Sequence, residues 1–323
     1  MTALRVSGVP TPAAVLKSRF PRELRLGEPL GPFTTFGIGG PADYFIRATT
    51  PEIFVQACNA ARELGIPLFV LGGGSNLLIN DAGFRGLVVK SEITDIVQTG
   101  QLVTAGSGVK FDHLVDWAAD HNLAGLAFAA GIAGSVGGAL YGNAGCYGKE
   151  IGDLVVELAV AAPEGQIKVV PREYCGFSYR HSRLKETGDI VLTVTLRLEP
   201  GDGEALRLEA EAHRAHRRER HPTRDCSAGC FFKNIEDESA PHGKIAAGKL
   251  LEDVGAKSER VGGAAVHSGH ANIIINAGGA TARDVLSLAS RLRSKVKSRL
   301  GYELDREIIF LGPYGPEPAV WED

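Results

Sequence analysis

The chain has 323 residues, 44% of them hydrophobic and 23% charged, with 35 basic against 38 acidic side chains and a net charge of −3. That length buries one large core or two to three modest ones. Charge near balance excludes a protein held to nucleic acid or anionic lipid mainly by electrostatics, and the apolar content excludes disorder.

Residues 1–30 carry four of the sixteen prolines and little periodicity, so an extension that packs late or stays mobile is expected there. Thr50–Pro51 then reads as an N-cap with proline at the first helical position. Ile53, Phe54, Ala57, Ala60, Ala61 and Leu64 make one apolar face, and Gly65 is the stop. A strand over 67–71 runs into Gly72-Gly73-Gly74-Ser75-Asn76, and strands follow around 87–90 and 102–105. A second helix is expected over 111–122, with Phe111, Leu114, Val115 and Ala118 inward. The stretch 125–148 holds too much glycine for a helix throughout.

Strands resume at 154–162, 166–170 and 190–198. Residues 204–220 look helical with a basic end, and His221-Pro222 marks a domain boundary. Thr281 and Asp284 cap a helix to Leu300 whose stripe is Val285, Leu288, Ala289, Leu292 and Val296. A strand over 306–311 closes the segment. Strands and helices interleave without a steady βαβ rhythm, which favours α+β over a doubly wound sheet.

Five scattered cysteines, an odd number, with no secretory segment in front of them, point to reduced thiols in a cytoplasmic protein. No stretch approaches the ~18 uninterrupted apolar residues of a membrane-spanning helix.

The glycines are the informative feature. In Leu71 to Asn76 a strand runs into three glycines, which frees backbone N–H groups to cradle a pyrophosphate. Leu77 sits where a dinucleotide fingerprint would need its third glycine. A near match to a triphosphate loop at 243–249 lacks the following Ser/Thr and a preceding strand, so a triphosphatase is rejected. A second segment, Gly131, Gly134, Ser135, Gly137, Gly138, Asn143 and Gly145, suits a wall for a flat cofactor or close packing through small residues.

Cys230, in Ser227-Ala-Gly-Cys-Phe-Phe-Lys-Asn234, could be a nucleophile, a proton donor or a buried core thiol. A metal set of His221, Cys226 and Cys230 lacks a second ligand pair at finger spacing. In LDREIIFLG, alternation would set Glu307 beside Ile309 and opposite Ile308 and Phe310, where a charge needs a partner.

TTFGIGG (34–40), LGGGSN, GIAGSVGG…GNAGCYG, FSYRHS, SAGCFFKN, AAGKLLEDVG (246–255), VGGAAVH (261–267) and LDREIIFLG occur in one order across residues 34–312. The chain thereby closely resembles the UDP-N-acetylenolpyruvoylglucosamine reductase family, flavoenzymes of bacterial peptidoglycan synthesis. The resemblance implies an α+β chain: an FAD-binding fold of the vanillyl-alcohol-oxidase type in two subdomains, plus a C-terminal α+β substrate domain. The expected boundaries are 1–30 for the extension, 31–91 and 92–222 for the FAD subdomains, and 223–323 for the substrate domain.

It further implies FAD as cofactor, NADPH as co-substrate and a UDP-sugar substrate, in a monomer or weak oligomer without nucleic-acid or membrane partners. Leu71, Gly72, Gly73, Gly74, Ser75 and Asn76, with the 131–145 residues named above, would bind FAD. Arg180 matches an arginine near the substrate's enolpyruvyl carboxylate, and Glu307 the glutamate that works with it. Cys230 stands where the family usually has a proton-delivering serine. A thiol of reference pKa ~8.5 stays mostly protonated at neutral pH and is a stronger acid than an alkyl hydroxyl. Asn234 and His270 fall at positions used for the nucleotide-sugar, and Arg220 where the family usually has lysine. Only Pro200 to Glu204 separates strand from basic helix, which indicates the short type without an extra tyrosine loop. Another FAD-dependent oxidoreductase of the same fold is the alternative.

Overall fold

A computed structural model describes residues 10–220, 226–240 and 243–318, the Arg220 side chain excepted. The boundary expected at His221-Pro222 and the role expected of the Arg220 side chain therefore lie outside the described residues.

The first layer is a four-stranded sheet of order β1-β2-β5-β3, built from β1 (Leu24–Pro29), β2 (Pro41–Ala48), β3 (Leu68–Leu71) and β5 (Phe84–Ser91). Strand β4 (Leu77–Ile79) follows the first glycine run and stands apart from this sheet. β1 is antiparallel to β2, whereas β2 and β3 both run parallel to β5. Helix α2 (Pro51–Glu63) covers one face, started by Thr50, whose Oγ1 accepts from Ile53 N at 3.3 Å. Its Phe54, Ala57, Ala60 and Ala61 are buried against Ile46, Leu87 and Val89.

The extension expected over 1–30 is, from residue 10, part of this layer. Helix α1 (Pro12–Arg19) is capped by Thr11, buries Leu16 and leads to buried Phe20, and β1 is the edge strand. Proline content misled because Pro12 stands at a helix start and Pro29 at a strand end, where a missing N–H costs nothing.

The second lobe is a five-stranded antiparallel sheet, β9-β8-β10-β7-β6. Its strands are β6 (Ile96–Thr99), β7 (Leu102–Gly106), β8 (Val155–Ala161), β9 (Ile167–Pro171) and β10 (Ile190–Arg197). Helices α3 (Phe111–Asp120), α4 (Val136–Tyr141) and α5 (Gly203–Arg220) accompany it. The expected inward residues of α3 (Phe111, Leu114, Val115 and Ala118) are all in its core.

In the C-terminal part, β11 (Cys226–Cys230), β12 (Arg260–Val261), β13 (Ala264–Val266) and β14 (Ile273–Asn276) form a sheet of order β11-β14-β13-β12. Helix α6 (Ala247–Asp253) and the long α7 (Ala282–Leu300) pack with it in one core. Thr281 and Asp284 make a reciprocal capping box on α7, Gly301 ends it in left-handed backbone, and all five stripe residues are fully buried.

The expected closing strand buries Ile308 and Phe310 in this core, but its backbone pairs outside the segment. β15 (Ile309–Gly312) runs parallel to β4 beside the first lobe, and β16 (Gly315–Glu317) flanks it. Glu307 precedes β15, so strand alternation does not orient its side chain. Residues 309–311 are thus sewn to the segment that follows the first glycine run.

Candidate active site

The two glycine segments lie against each other. Ser135, which caps α4, accepts from Gly73 N at 3.2 Å and from Gly138 N at 3.4 Å. Ser75 Oγ donates to Ala133 O at 3.0 Å. Between the lobes opens a cleft of about 830 Å³, within the range of cofactor sites. Gly72, Gly73, Gly134 and Ser135 form one wall, and Lys90, Lys110 and His113 line it elsewhere.

Most of these glycines are bare because protein, not ligand, comes close. A Cβ on Gly73 would stand 2.5 Å from Gly134 Cα, and one on Gly74, at φ +64°, 2.1 Å from Phe33 O. Gly72, Gly134 and Gly137 meet Ser135, Ser75 and Ser107 in the same way, Gly131 meets Arg217, and Gly145 meets Lys149. Gly138 is the exception. It is exposed, and a Cβ there meets only Ser135 Oγ, at an ordinary 3.6 Å.

Two expected cofactor residues have side chains committed to the fold. The Leu71 side chain is buried in the core beside Phe45 and Val88. Asn143 is buried, at φ +43°; its Oδ1 accepts from Gly152 N, and its Nδ2 donates to Glu150 and to Ser178 O. Its polar atoms are thereby spent inside the protein.

Past the far ends of the two segments, three side chains from distant sequence meet. Arg180 Nε donates to Glu307 Oε1 at 3.0 Å, and Arg180 Nη1 reaches Gly145 O at 3.4 Å. Asn76 Nδ2 donates to Glu307 O at 3.4 Å, and Asn76 O accepts from Ile309 N. Glu307 N donates to Phe231 O at 2.8 Å, which sets Glu307 beside the end of β11. There the pairing with β14 breaks between Ser227 and Cys230, where Gly229 takes φ +75°. Burial pushes the Cys230 thiol up to about 11, the Glu307 carboxylate adds to this, and Arg180 opposes it. The thiol therefore stays protonated across the neutral range.

Tyr179 is next to this group, with its hydroxyl raised mainly by burial while Arg180 and a hydrogen bond with Asn234 oppose. Lys244 lies over its ring. Asn234 also accepts from Ala247 N at the start of α6 at 3.1 Å. His270 is not in the group. It lies against Gly248 on α6, accepts from Asn272 N at 3.3 Å, and burial lowers its pKa.

Several contributors were not legible in advance. Lys90 ends the buried run Leu87–Val89, donates to Gly72 O at 2.9 Å, and has its pKa lowered by burial above all. An ammonium closing an apolar strand was the available clue. Buried Asn272 latches the residues after Cys230: its carbonyl accepts from Phe231 N, its Oδ1 from Phe232 N, and its Nδ2 donates to Phe232 O.

Known proteins align with both halves of this arrangement. The FAD binding domain profile matches residues 42–170, and that of the UDP-N-acetylenolpyruvoylglucosamine reductase C-terminal domain matches 221–311. The reductase of that name from Moorella thermoacetica is 42% identical over 301 residues, covering 93% of this chain and 97% of its own. The chain belongs to the UDP-N-acetylenolpyruvoylglucosamine reductase family.

A family member from Lachnoclostridium phytofermentans is 40% identical over 88% of this chain and 92% of its own. The crystal structure of the Thermus caldophilus enzyme superposes with a TM-score of 0.74 at 35% identity, covering 89% of this chain and 98% of that one. Membership makes the protein an FAD-containing oxidoreductase, and the cleft fits such a group: backbone of Gly72, Gly73 and Gly134 from the two glycine segments lines it, with Lys90 and Lys110. Only residues 198–202 separate β10 from α5, so there is no room for an added loop. Among the described residues no helix is long and apolar enough to cross a membrane.

Proposed function

We propose that this chain reduces the enolpyruvyl ether of UDP-N-acetylglucosamine enolpyruvate to UDP-N-acetylmuramate in the cytoplasm, as a monomer or weak oligomer, for peptidoglycan synthesis. FAD, which Gly72, Gly73, Ser135 and Lys90 would hold in the cleft, would supply the hydride taken from NADPH. The observation that carries this reading is the convergence of Arg180, Glu307 and Cys230 past the end of the glycine-lined cleft.

Each residue has a part that its surroundings favour. Arg180, at 3.0 Å from Glu307, is a fixed positive charge placed for the substrate's carboxylate, where negative charge grows during reduction. Glu307 holds that guanidinium in orientation. Cys230 keeps its proton at neutral pH and gives it to the carbanion-like carbon, a far stronger base than a thiolate. The thiolate left behind is stabilised by Arg180. Tyr179 with Lys244, and Asn234 at the start of α6, offer an aromatic face, a charge and an amide for the nucleotide-sugar. Arg220 and His270 remain proposed contacts of the same ligand.

Residues 31–91 and 92–222 are read as the FAD subdomains and 223–323 as the substrate domain. The test is direct: purified protein should show a flavin spectrum that NADPH bleaches, and should turn NADPH over continuously only when the enolpyruvyl substrate is added. Protein reconstituted with FAD that oxidises no NADPH on addition of substrate refutes the reading.

A further inference from the structure

Arg180 occupies backbone that arginine seldom adopts. Its φ is +54°, in the left-handed region that persists only where the surroundings impose it. The turn is closed by reciprocal backbone bonds: Ser178 N donates to His181 O at 3.1 Å, and His181 N to Ser178 O at 3.0 Å. Two side chains from outside hold it. Asn143 Nδ2 donates to Ser178 O at 3.0 Å, and Lys185 Nζ to Arg180 O at 2.7 Å.

Lys185 reaches this carbonyl beside Tyr141, its ammonium 5.5 Å from the ring centroid, while Ser182 Oγ donates to Tyr141 O. Among the described residues Lys185 makes no ion pair; its charge is spent on a backbone oxygen. A charge-assisted hydrogen bond of this kind is stronger and more directional than a neutral one. It grips the peptide of the residue whose guanidinium must meet both Glu307 and the substrate.

We infer that Lys185 is a positioning residue for the reduction: by holding the Arg180 carbonyl it fixes the left-handed turn and so aims the guanidinium. The inference rests on the function proposed above for Arg180. Lys185 itself touches no reacting atom. Removing its ammonium lets the turn relax toward ordinary backbone and swings the guanidinium off its target, while the cleft stays intact.

The test uses the holoenzyme with Lys185→Met and Lys185→Arg, both at an exposed position. Flavin bleaching by NADPH should stay within about twofold of the parent in both, and reoxidation by the enolpyruvyl substrate should slow about 10- to 100-fold in Lys185→Met, the cost of a group misplaced by roughly 1 Å. Lys185→Arg should recover most of that loss. In an Arg180→Ala background, Lys185→Met should cost nothing further, since the two act as one unit. The His181 amide, bonded to Ser178 O, should exchange its hydrogen faster in Lys185→Met and not in Lys185→Arg.

Reoxidation at the parental rate, a full additional loss in the Arg180→Ala background, or unchanged exchange at His181 would overturn the inference. The exchange measurement needs no substrate. A parent enzyme that the substrate fails to reoxidise would refute the proposed function and leave this test standing.

Discussion

Gly138→Ala separates a glycine kept for a ligand from one kept for the fold. Gly138 sits in the first turn of α4, exposed on the helix that opens beside the cleft. A Cβ there has one neighbour, Ser135 Oγ at 3.6 Å, which is normal contact. Alanine is favoured over glycine in a helix by roughly 0.5–1 kcal/mol, so the apo-protein should gain about that much and melt about 1–3 °C higher. If the dinucleotide lies on this face, the same methyl intrudes on it. Overpacking costs about 1–3 kcal/mol, which is roughly a 5- to 150-fold weaker FAD.

Gly73→Ala is the control. Its Cβ would meet Gly134 Cα at 2.5 Å, so the two segments must part by about 1 Å. It should lower both apo-protein stability and FAD affinity. The assay is fluorescence titration of apo-protein with FAD, beside thermal melts without it. Gly138→Ala that melts higher and binds FAD as tightly as the parent would show that α4 does not face the cofactor.

Cys230→Ala should leave bleaching by NADPH intact and stall substrate-dependent reoxidation, with Cys230→Ser keeping part of the rate; stopped-flow absorbance separates the two half-reactions. Lys90→Met should weaken FAD about tenfold or more and leave riboflavin unchanged, because an ammonium in the cleft matters most to the diphosphate. Cys175 is buried, and that burial above all pushes its thiol up to about 11. The unfolded chain loses that proton first, so its contribution, roughly 2–3 kcal/mol, is present below pH 9 and lost as pH rises through about 11. Cys175→Ala should flatten that alkaline limb in denaturant titrations normalised at pH 7.

Helices α2 and α7 were legible because each signal is local. Thr50 with Pro51, Thr281 with Asp284, and Gly65 and Gly301 at left-handed φ act within a few residues of the ends they define. β1 was not legible. Its side chains are mostly exposed, and what makes it a strand is backbone pairing with β2. β4 and β15 find each other across more than two hundred residues, and no local pattern announces that pairing.

The site divides in the same way. Sequence alone marked Arg180, Cys230 and Glu307 through the motifs around them, and marked two stretches where the backbone must be bare. It could not say what approaches that backbone, since a missing Cβ makes equal room for a phosphate or for another loop. Packing decided it: Gly73 faces Gly134, Gly74 faces Phe33, and Gly138 is left open. Glu307 owes its place to Phe231 O and Asn76 rather than to strand alternation. Local chemistry and periodicity are written residue by residue, and so the sequence determined the helices and marked the candidate site side chains. Which groups stand within 3 Å of one another depends on how distant segments pack, and only the tertiary structure determined that.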